Sequence, residues 1–201
     1  MEEKKLEIIE KSARVFMRFG VKSVTMDDLV SKLGVSKKTI YKYFKDKSDL
    51  VMHIIKEETQ KDKLVCQTCA ENSENAIDEL IKVNQHVLES HLMDIHPSVF
   101  YDMQKYHPEA WMIMEDHKSK FMQNMIAHNV QRGIAENIYR DNVNPEIVSL
   151  MYAACIDSVM NQDSIPFGKV YIEVSRFFLR GLVNPTGLNY LQERLKRETD
   201  V

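Results

Sequence analysis

The apolar positions between residues 23 and 50 follow the period of two short helices. In the first helix they recur at the i, i+3, i+4, i+7 spacing of a single face, at Met26, Leu29, Val30 and Leu33. Thr25 stands where this helix would begin, and Asp28 three residues later completes a capping box. The pattern therefore predicts a helix that is covered on one side and faces water on the other.

The second short helix is predicted over residues 36–44, just after Gly34. Glycine reaches left-handed backbone angles without strain and often ends a helix, while the hydroxyl of Ser36 can cap the next one. Ile40 and Phe44, four residues apart, would anchor the helix. The remaining positions carry hydrogen-bond donors, at Lys37, Lys38, Thr39, Tyr41, Lys42 and Tyr43. Two helices joined by so tight a turn are typical of a helix-turn-helix.

A second helix so rich in cations and hydroxyls suits the major groove of DNA. In a recognition helix the first residues meet base edges, and the flanking cations, hydroxyls and amides hold phosphates. A lysine-rich helix taken alone is more often a solvated surface. Here the capping box, the glycine turn and the apolar stripe occur together, so we interpret the segment as DNA-binding.

The rest of the chain is a series of helices separated by clear breaks. We predict helices 4 to 9 over residues 46–70, 76–91, 97–106, 109–133, 145–162 and about 170–183. Prolines and glycines are few, at five and six in 201 residues, and no alternating strand pattern is found. These features indicate an all-α protein of about nine helices. We expect a three-helix helix-turn-helix head at residues 1–47 and a helical ligand-binding and dimerisation body at residues 48–201.

The charge is unevenly distributed between these two parts. Residues 1–50 hold 12 Lys or Arg against 8 Asp or Glu, and residues 51–201 hold 15 against 22. The net charge of −3 therefore conceals a basic head on an acidic body. Such an arrangement concentrates the attraction for phosphate on one end of the molecule.

The remaining motifs indicate neither secretion nor metal chemistry. The first residues are charged, and we expect no signal peptide, no membrane contact and a cytoplasmic location. The Cys66-x-x-Cys69 pair has metal-ligand spacing, but no second pair lies near it, and we expect these thiols and Cys155 to be structural or incidental. Oxidation sensing at the pair stays an open alternative. The histidines are scattered, so we predict no metal and no cofactor.

The first 50 residues resemble the DNA-binding domain of the TetR family of transcriptional regulators. The resemblance lies in Ala13, Phe16, Gly20, Val24-Thr25-Met26, Gly34-Val35-Ser36-Lys37, Thr39-Ile40-Tyr41, Tyr43-Phe44, Lys47 and Leu50. It implies that Thr25 and Lys47 bind phosphates and that Lys37, Lys38 and Thr39 face base edges. It further implies that Tyr41, Lys42 and Tyr43 contact the DNA backbone or thymine methyls. Ser36, which caps the helix, completes the predicted DNA-binding set.

Helices 8 and 9 are apolar around most of their circumference. Such helices must be covered on two sides, either by a partner subunit or deep in a monomer core. We favour the intersubunit surface, and the resemblance implies the same, a homodimer held by a four-helix bundle. The predicted interface residues are Leu150, Ala154, Val159, Val174, Phe178 and Leu182. Paired heads would address a pseudo-palindromic operator in double-stranded DNA.

Residues 93–125 are dense in methionines and aromatics, which suit either an adaptable ligand chamber or plain core packing. The candidate ligand-binding residues are Phe100, Tyr101, Met103, Trp111, Met114 and Met122. The favoured function is a repressor released from its operator by a small apolar or aromatic ligand. One alternative is a DNA-binding protein whose body is controlled by a protein partner. A more remote alternative is an enzyme with a basic surface helix, but the sequence holds no convincing catalytic set.

Overall fold

A computed structural model describes residues 2–90, 95–96, 98–160 and 167–199, with the side chains of residues 159–160 and 195–199 left out. Its helices are α1 (Glu2–Phe19), α2 (Met26–Leu33), α3 (Lys37–Tyr43), α4 (Lys47–Glu71), α5 (Ala76–Glu89), α6 (Ser98–Tyr106), α7, α8 (Pro145–Met160), α9 (Phe167–Leu182) and α10 (Pro185–Thr199). The helix α7 has two α-helical stretches, Pro108–Asp116 and Gln123–Ala135, joined by π-helical His117–Met122. The all-α prediction is confirmed.

The caps predicted in the head are formed. The backbone N–H of Asp28 donates to Thr25 Oγ1 at 3.1 Å, and the backbone N–H of Thr25 donates to the Asp28 carboxylate at 2.8 Å. Gly34 ends α2 in the left-handed region, at φ 65°. Ser36 Oγ then accepts the backbone N–H of Thr39 at 3.0 Å and caps α3. The start of each helix and the turn between them are therefore defined by local contacts and by the backbone angle of Gly34.

Two apolar cores hold the chain together. The first joins the head to α4, α6 and the start of α7, and its buried members include Phe16, Leu29, Ile40, Phe44, Leu50, Val99 and Met103. The second joins α5, the end of α7, α9 and α10, and includes Ile77, Ile126, Val130, Tyr139, Leu179 and Leu182. Because the first core continues across residue 47, the head rests directly on the body. The division into residues 1–47 and 48–201 stays a proposal.

Several predicted helix bounds need correction. The seventh helix, expected to run unbroken, contains the π-helical segment. The fifth ends at Glu89 and the sixth begins at Ser98, while Pro97 and the predicted end at residue 91 lie outside the described residues. The eighth is described to Met160. No described helix is both long and apolar enough to cross a membrane.

A helix after residue 183 was not predicted, yet α10 lies there. At the start of α8, Asn144 Oδ1 accepts the backbone N–H of Ile147, and Pro145 follows Asn144. The start of α10 is similar, since Asn184 Oδ1 accepts the backbone N–H of Gly187 at 2.9 Å and Pro185 occupies the first turn. Gly187 is buried, and a Cβ there would lie 2.1 Å from the carbonyl oxygen of Ile138. The helix therefore needs glycine to dock on the second core.

Candidate nucleic-acid interface

The helix α3 is buried on one side and exposed on the other. Ile40 is fully buried and Phe44 is 1% exposed, so both anchor the helix in the first core, as the sequence predicts. On the opposite side Lys38, Tyr41 and Lys42 are exposed, and Tyr41 retains 49% of its surface. Thr39 and Tyr43 are half-buried at the edges. The donors of the predicted recognition helix thus share one accessible face.

Lys37 lies on the same face but is engaged within the head. Its ammonium forms an ion pair with Asp27 of α2, with Nζ 2.8 Å from Oδ1. A hydrogen bond from Lys37 to this carboxylate raises the pKa of the lysine. Both side chains are exposed, so the pair is weak and can open. A base contact by Lys37 requires that opening.

The two predicted hydroxyl contacts are parts of the caps. Thr25 Oγ1 donates to the Asp28 carboxylate at 2.6 Å, and Ser36 Oγ lies 2.8 Å from Thr39 Oγ1. The hydrogen bonds from the Thr25 hydroxyl and from the Thr25 backbone N–H lower the pKa of the Asp28 carboxyl. Thr25 and Ser36 stay exposed at the starts of α2 and α3, where the first backbone N–H groups of a helix have no partner within it. A phosphate at either helix start would meet amides and a hydroxyl together.

Lys47, the other predicted phosphate ligand, lies at the junction of head and body. Its Nζ donates to the carbonyl oxygen of Lys22 at 3.2 Å and sits 5.7 Å from the centre of the Phe16 ring. Burial lowers the pKa of Lys47, while the nearby Asp102 and Asp28 carboxylates oppose that shift. In this conformation the ammonium is turned into the protein.

The junction is held by polar contacts between segments distant in sequence. Asp102 of α6, 4% exposed, accepts the backbone N–H of Lys22 at 2.8 Å and the hydroxyl of Ser98 at 3.1 Å. Ser48 at the start of α4 lies 3.0 Å from Nδ1 of His107, the residue between α6 and α7. In the sequence, Asp102 stands in the middle of a mostly apolar helix, which indicates a buried carboxylate. Its hydrogen-bond partner, the backbone N–H of Lys22, could not be deduced from periodicity.

The predicted ligand-binding residues divide between the first core, the surface and the cavities of the body. Phe100 and Met103 are buried in the first core, and Trp111 and Met114 pack against its edge. Tyr101 is 55% exposed and lines neither of two partly open cavities in the body, which have volumes of about 20 and 80 Å³. Of the six residues, Met122 lines both of these cavities. The alternative of core packing therefore describes Phe100 and Met103.

Most of the residues that line the cavities lie outside the methionine-rich segment, although Met122 and Met125 belong to it. The cavities lie among α5, the end of α7, α8 and α9. In the cavity of about 20 Å³, the polar lining residues are Asn84, Tyr152, Tyr171 and Ser175. The other lining residues of this cavity are mostly apolar. These four polar residues lie outside residues 93–125, whereas Met122 and Met125, in the same walls, lie inside that segment.

The predicted interface residues fall into three groups. Leu150 and Ala154 are exposed, and Val174 and Phe178 are half-buried. Leu182 is 4% exposed and lies in the second core, so it offers no surface to a partner. The side chain of Val159 lies outside the described part of the chain.

The exposed apolar face of α8 and α9 is larger than the predicted set. Ile147, Leu150 and Met151 each retain 55% of their surface, and Phe177 of α9 retains 76%. Ala154 and Cys155 continue the same face at i+7 and i+8 from Ile147. We call these six residues the α8–α9 patch. Large exposed apolar patches in a folded chain mark interaction surfaces.

The cysteines show no metal site. Burial raises the pKa of the Cys66 thiol to about 12, which keeps it protonated and unreactive at neutral pH. Burial also raises the pKa of Cys69. Among the described residues no group of three or more His, Cys, Asp or Glu is placed to hold a metal ion.

Comparison with known proteins agrees with this geometry. Residues 8–54 match the family model of bacterial regulatory proteins, tetR family. An uncharacterized helix-turn-helix transcriptional regulator, YvaF of Bacillus subtilis, is 24% identical over 156 residues, covering 78% of this chain and 80% of that protein.

The whole fold also has solved counterparts. A TetR-family regulator from Agrobacterium tumefaciens superposes with a TM-score of 0.75 at 14% identity, over 91% of this chain and 99% of that one. A putative regulator from Saccharomonospora viridis, solved with choline, superposes with a TM-score of 0.71 at 16% identity, over 92% and 100%. The fold and the head together define a helix-turn-helix transcriptional regulator. Residues 8–54 carry the match to the tetR family of bacterial regulatory proteins, and the chain as a whole shares the fold of the solved regulators.

Proposed function

We propose that this regulator is a ligand-responsive repressor that binds a pseudo-palindromic operator as a homodimer in the cytoplasm. The observation that carries the proposal is α3, whose donors share one exposed face above two buried anchors, Ile40 and Phe44. Lys38, Tyr41 and Lys42 would enter the major groove, with Lys37 joining them once its pair with Asp27 opens. We assign no catalytic role to the chain.

The α8–α9 patch supports the homodimer. One recognition helix gives little affinity, whereas two related by a twofold axis, about 34–36 Å apart, address two major grooves on one face of the duplex. The patch is apolar and continuous along α8, as a symmetric four-helix contact requires. The partner would cover Leu150, Met151 and Phe177, whose exposure is otherwise costly.

The response to a ligand is supported by the cavities of the body and by the contacts at the junction. The Saccharomonospora viridis relative was solved with choline, which shows that this fold can hold a small molecule. In the present chain a ligand that prefers a different arrangement of α6 would lower operator affinity by its differential affinity for the two arrangements. Asp102 lies where such a shift would reach the head.

Selection from a random-sequence duplex library tests the DNA-binding proposal. We expect enrichment of an inverted repeat, and binding that weakens steeply with salt. Lys47→Ala should weaken binding to all sequences alike and lower the slope of log affinity against log salt by about one, because one phosphate contact is lost. Lys120→Ala, an exposed lysine on α7, is the matched control and should change neither quantity.

Absence of any enriched sequence would contradict the proposed function. An unchanged salt slope for Lys47→Ala would remove only this residue from the interface and would assign it to the junction where it lies in the free protein.

A further inference from the structure

Two adjoining cavities lie in the body between α5, the end of α7, α8 and α9. Their volumes are about 20 and 80 Å³, and they share Met122, Ile126, Tyr152 and Tyr171 in their walls. Ligand pockets usually measure about 300–1,000 Å³, so a ligand must push these walls apart. Met122 and Met125 provide the means, because unbranched methionine side chains change shape at little cost.

The walls offer no unpaired charge to a ligand. Among the described residues that line the two cavities, none is a carboxylate, and Lys118 is the one cation. The ammonium of Lys118 is already paired with Glu115 at 2.7 Å and Asp157 at 2.6 Å. A charged ligand would therefore enter an apolar space without a counter-ion, which is costly.

The polar atoms inside the cavities are two neighbouring pairs of neutral groups. The hydroxyl of Tyr171 donates to Asn84 Oδ1 at 3.0 Å, and the hydroxyl of Tyr152 in the same wall lies 3.1 Å from Ser175 Oγ. Burial raises the pKa of both tyrosines above the ordinary phenol value, so neither supplies a phenolate. We call Asn84, Tyr171, Tyr152 and Ser175 the hydroxyl cluster. It can exchange hydrogen bonds with a neutral oxygen.

The aromatic rings do not form an open cage for an ammonium ion. Tyr152 packs edge to face against Phe178, with ring centroids 5.2 Å apart and an interplanar angle of 83°. Tyr171 packs against Phe167, with centroids 5.9 Å apart. A cation–π site needs ring faces turned toward the ligand, and neighbouring rings already pack against these two.

We propose that the cavities take a neutral, mainly apolar molecule with one hydrogen-bonding oxygen, which joins the hydroxyl cluster at Tyr171. The inference names the ligand class for the ligand-responsive role proposed above and rests on it. The apolar part would displace the side chains of Met122 and Met125, and the oxygen would bond to the Tyr171 hydroxyl.

A set of probes that differ only in charge tests the inference. Isothermal titration calorimetry of the full chain would compare 1-octanol, octylammonium and octanoate, with choline as a second cation. We expect 1-octanol to bind more tightly than each ion by about tenfold or more, because only the alcohol avoids burying a charge. Tyr171→Phe should lower the affinity for 1-octanol by about 3- to 10-fold, the equivalent of one hydrogen bond. Tyr101→Phe, at an exposed tyrosine outside the cavities, should leave it unchanged.

A second variant keeps the test independent of the tyrosine. Asn84→Asp places a carboxylate in the same wall, and we expect it to shift the preference toward octylammonium. Failure of 1-octanol to bind at millimolar concentration, equal or tighter binding of any ion, or indifference to Tyr171→Phe would overturn the ligand class. Operator binding is measured on the same samples without probe. An intact DNA complex with no 1-octanol binding rejects the ligand class alone, whereas loss of DNA binding rejects the proposed function.

Discussion

At the scale of single residues, the pair between Lys37 and Asp27 limits the charge that α3 presents to DNA. The Nζ–Oδ1 distance is 2.8 Å and both side chains are exposed. The Asp27 carboxylate competes with phosphate for this ammonium and also repels the DNA backbone. Its negative charge therefore lies where the proposed interface needs positive charge.

We predict opposite effects of substitutions at the two ends of this pair. Lys37→Ala should weaken specific binding by roughly 5- to 150-fold, because a base or phosphate contact is lost. Asp27→Asn should strengthen binding by up to about fivefold, since it frees Lys37 and removes repulsion. A fluorescence anisotropy titration with the selected operator measures both. Weaker binding by Asp27→Asn would show that the pair positions Lys37 for DNA.

The contacts of single residues are also where the predictions from the sequence and the observed structure differ most. The caps of Thr25 and Ser36 were predictable, because each depends on residues within one helical turn. The position of Lys47 was not, since its partner Lys22 lies 25 residues away and the contact depends on how α1 and α4 pack. The hydroxyl cluster was missed for the same reason, because Asn84 and Tyr171 are 87 residues apart.

At the scale of secondary structure elements, Gly34 fixes the angle at which α3 leaves α2. Its φ is 65°, and a Cβ there would meet nothing within 4 Å, so the constraint is the backbone angle alone. Gly34→Ala should lower the free energy of unfolding by about 1–2 kcal/mol, the strain of a left-handed alanine. Gly34→Asn, which tolerates this conformation better, should lose less. Urea unfolding followed by circular dichroism measures both, and equal losses would contradict this explanation.

The junction between α6 and the head depends on one buried carboxylate. Asp102→Ala leaves the backbone N–H of Lys22 without its acceptor and should lower the free energy of unfolding by about 1–3 kcal/mol. Asp102→Asn retains an acceptor oxygen and should lose less. Asp116→Asn, on the exposed surface of α7, is the control and should stay within about 0.5 kcal/mol of the native chain. A loss of equal size at both positions in urea unfolding would contradict a special role for Asp102.

The elements themselves were largely predictable from the sequence. The apolar period predicted the start of α8 at Pro145 correctly, because this period is a local property of the sequence. The π-helical segment was not predictable, since its residues have no composition that separates them from an ordinary helix. The docking of α10 depends on the close approach of Gly187 to Ile138, a tertiary contact that no periodicity reports.

At the scale of the whole molecule, the proposed dimer depends on the α8–α9 patch. Phe177 is the most exposed of its large side chains, at 76%. Phe177→Glu should convert the dimer to monomers, because it removes about 1.5–3 kcal/mol of burial from each subunit and adds two charges to an apolar contact. Operator affinity should fall with it. Met112→Glu, 69% exposed on α7, is the matched control and should leave the dimer intact.

Sedimentation velocity at several protein concentrations distinguishes the two variants. A native chain that sediments as a monomer, or a Phe177→Glu variant that stays dimeric, would contradict the proposed interface. The sequence predicted that these two helices are apolar on more than one side, but not that Leu182 faces inward while Ile147 and Phe177 face outward. That difference depends on the rotation of each helix in its packing, which a helix apolar all round leaves undefined.

The π-helical turn of α7 changes which side of the helix faces inward, and the two ends of α7 pack in different cores. Before it, Ala110 faces the first core, and after it, Ile126 and Val130 face the second. A π turn holds about one residue more than an α turn, which rotates everything beyond it by roughly 100° relative to an unbroken helix. The single helix α7 therefore packs against the head at one end and lines the cavities at the other. A change in the π-helical turn would alter how these two ends are oriented relative to each other.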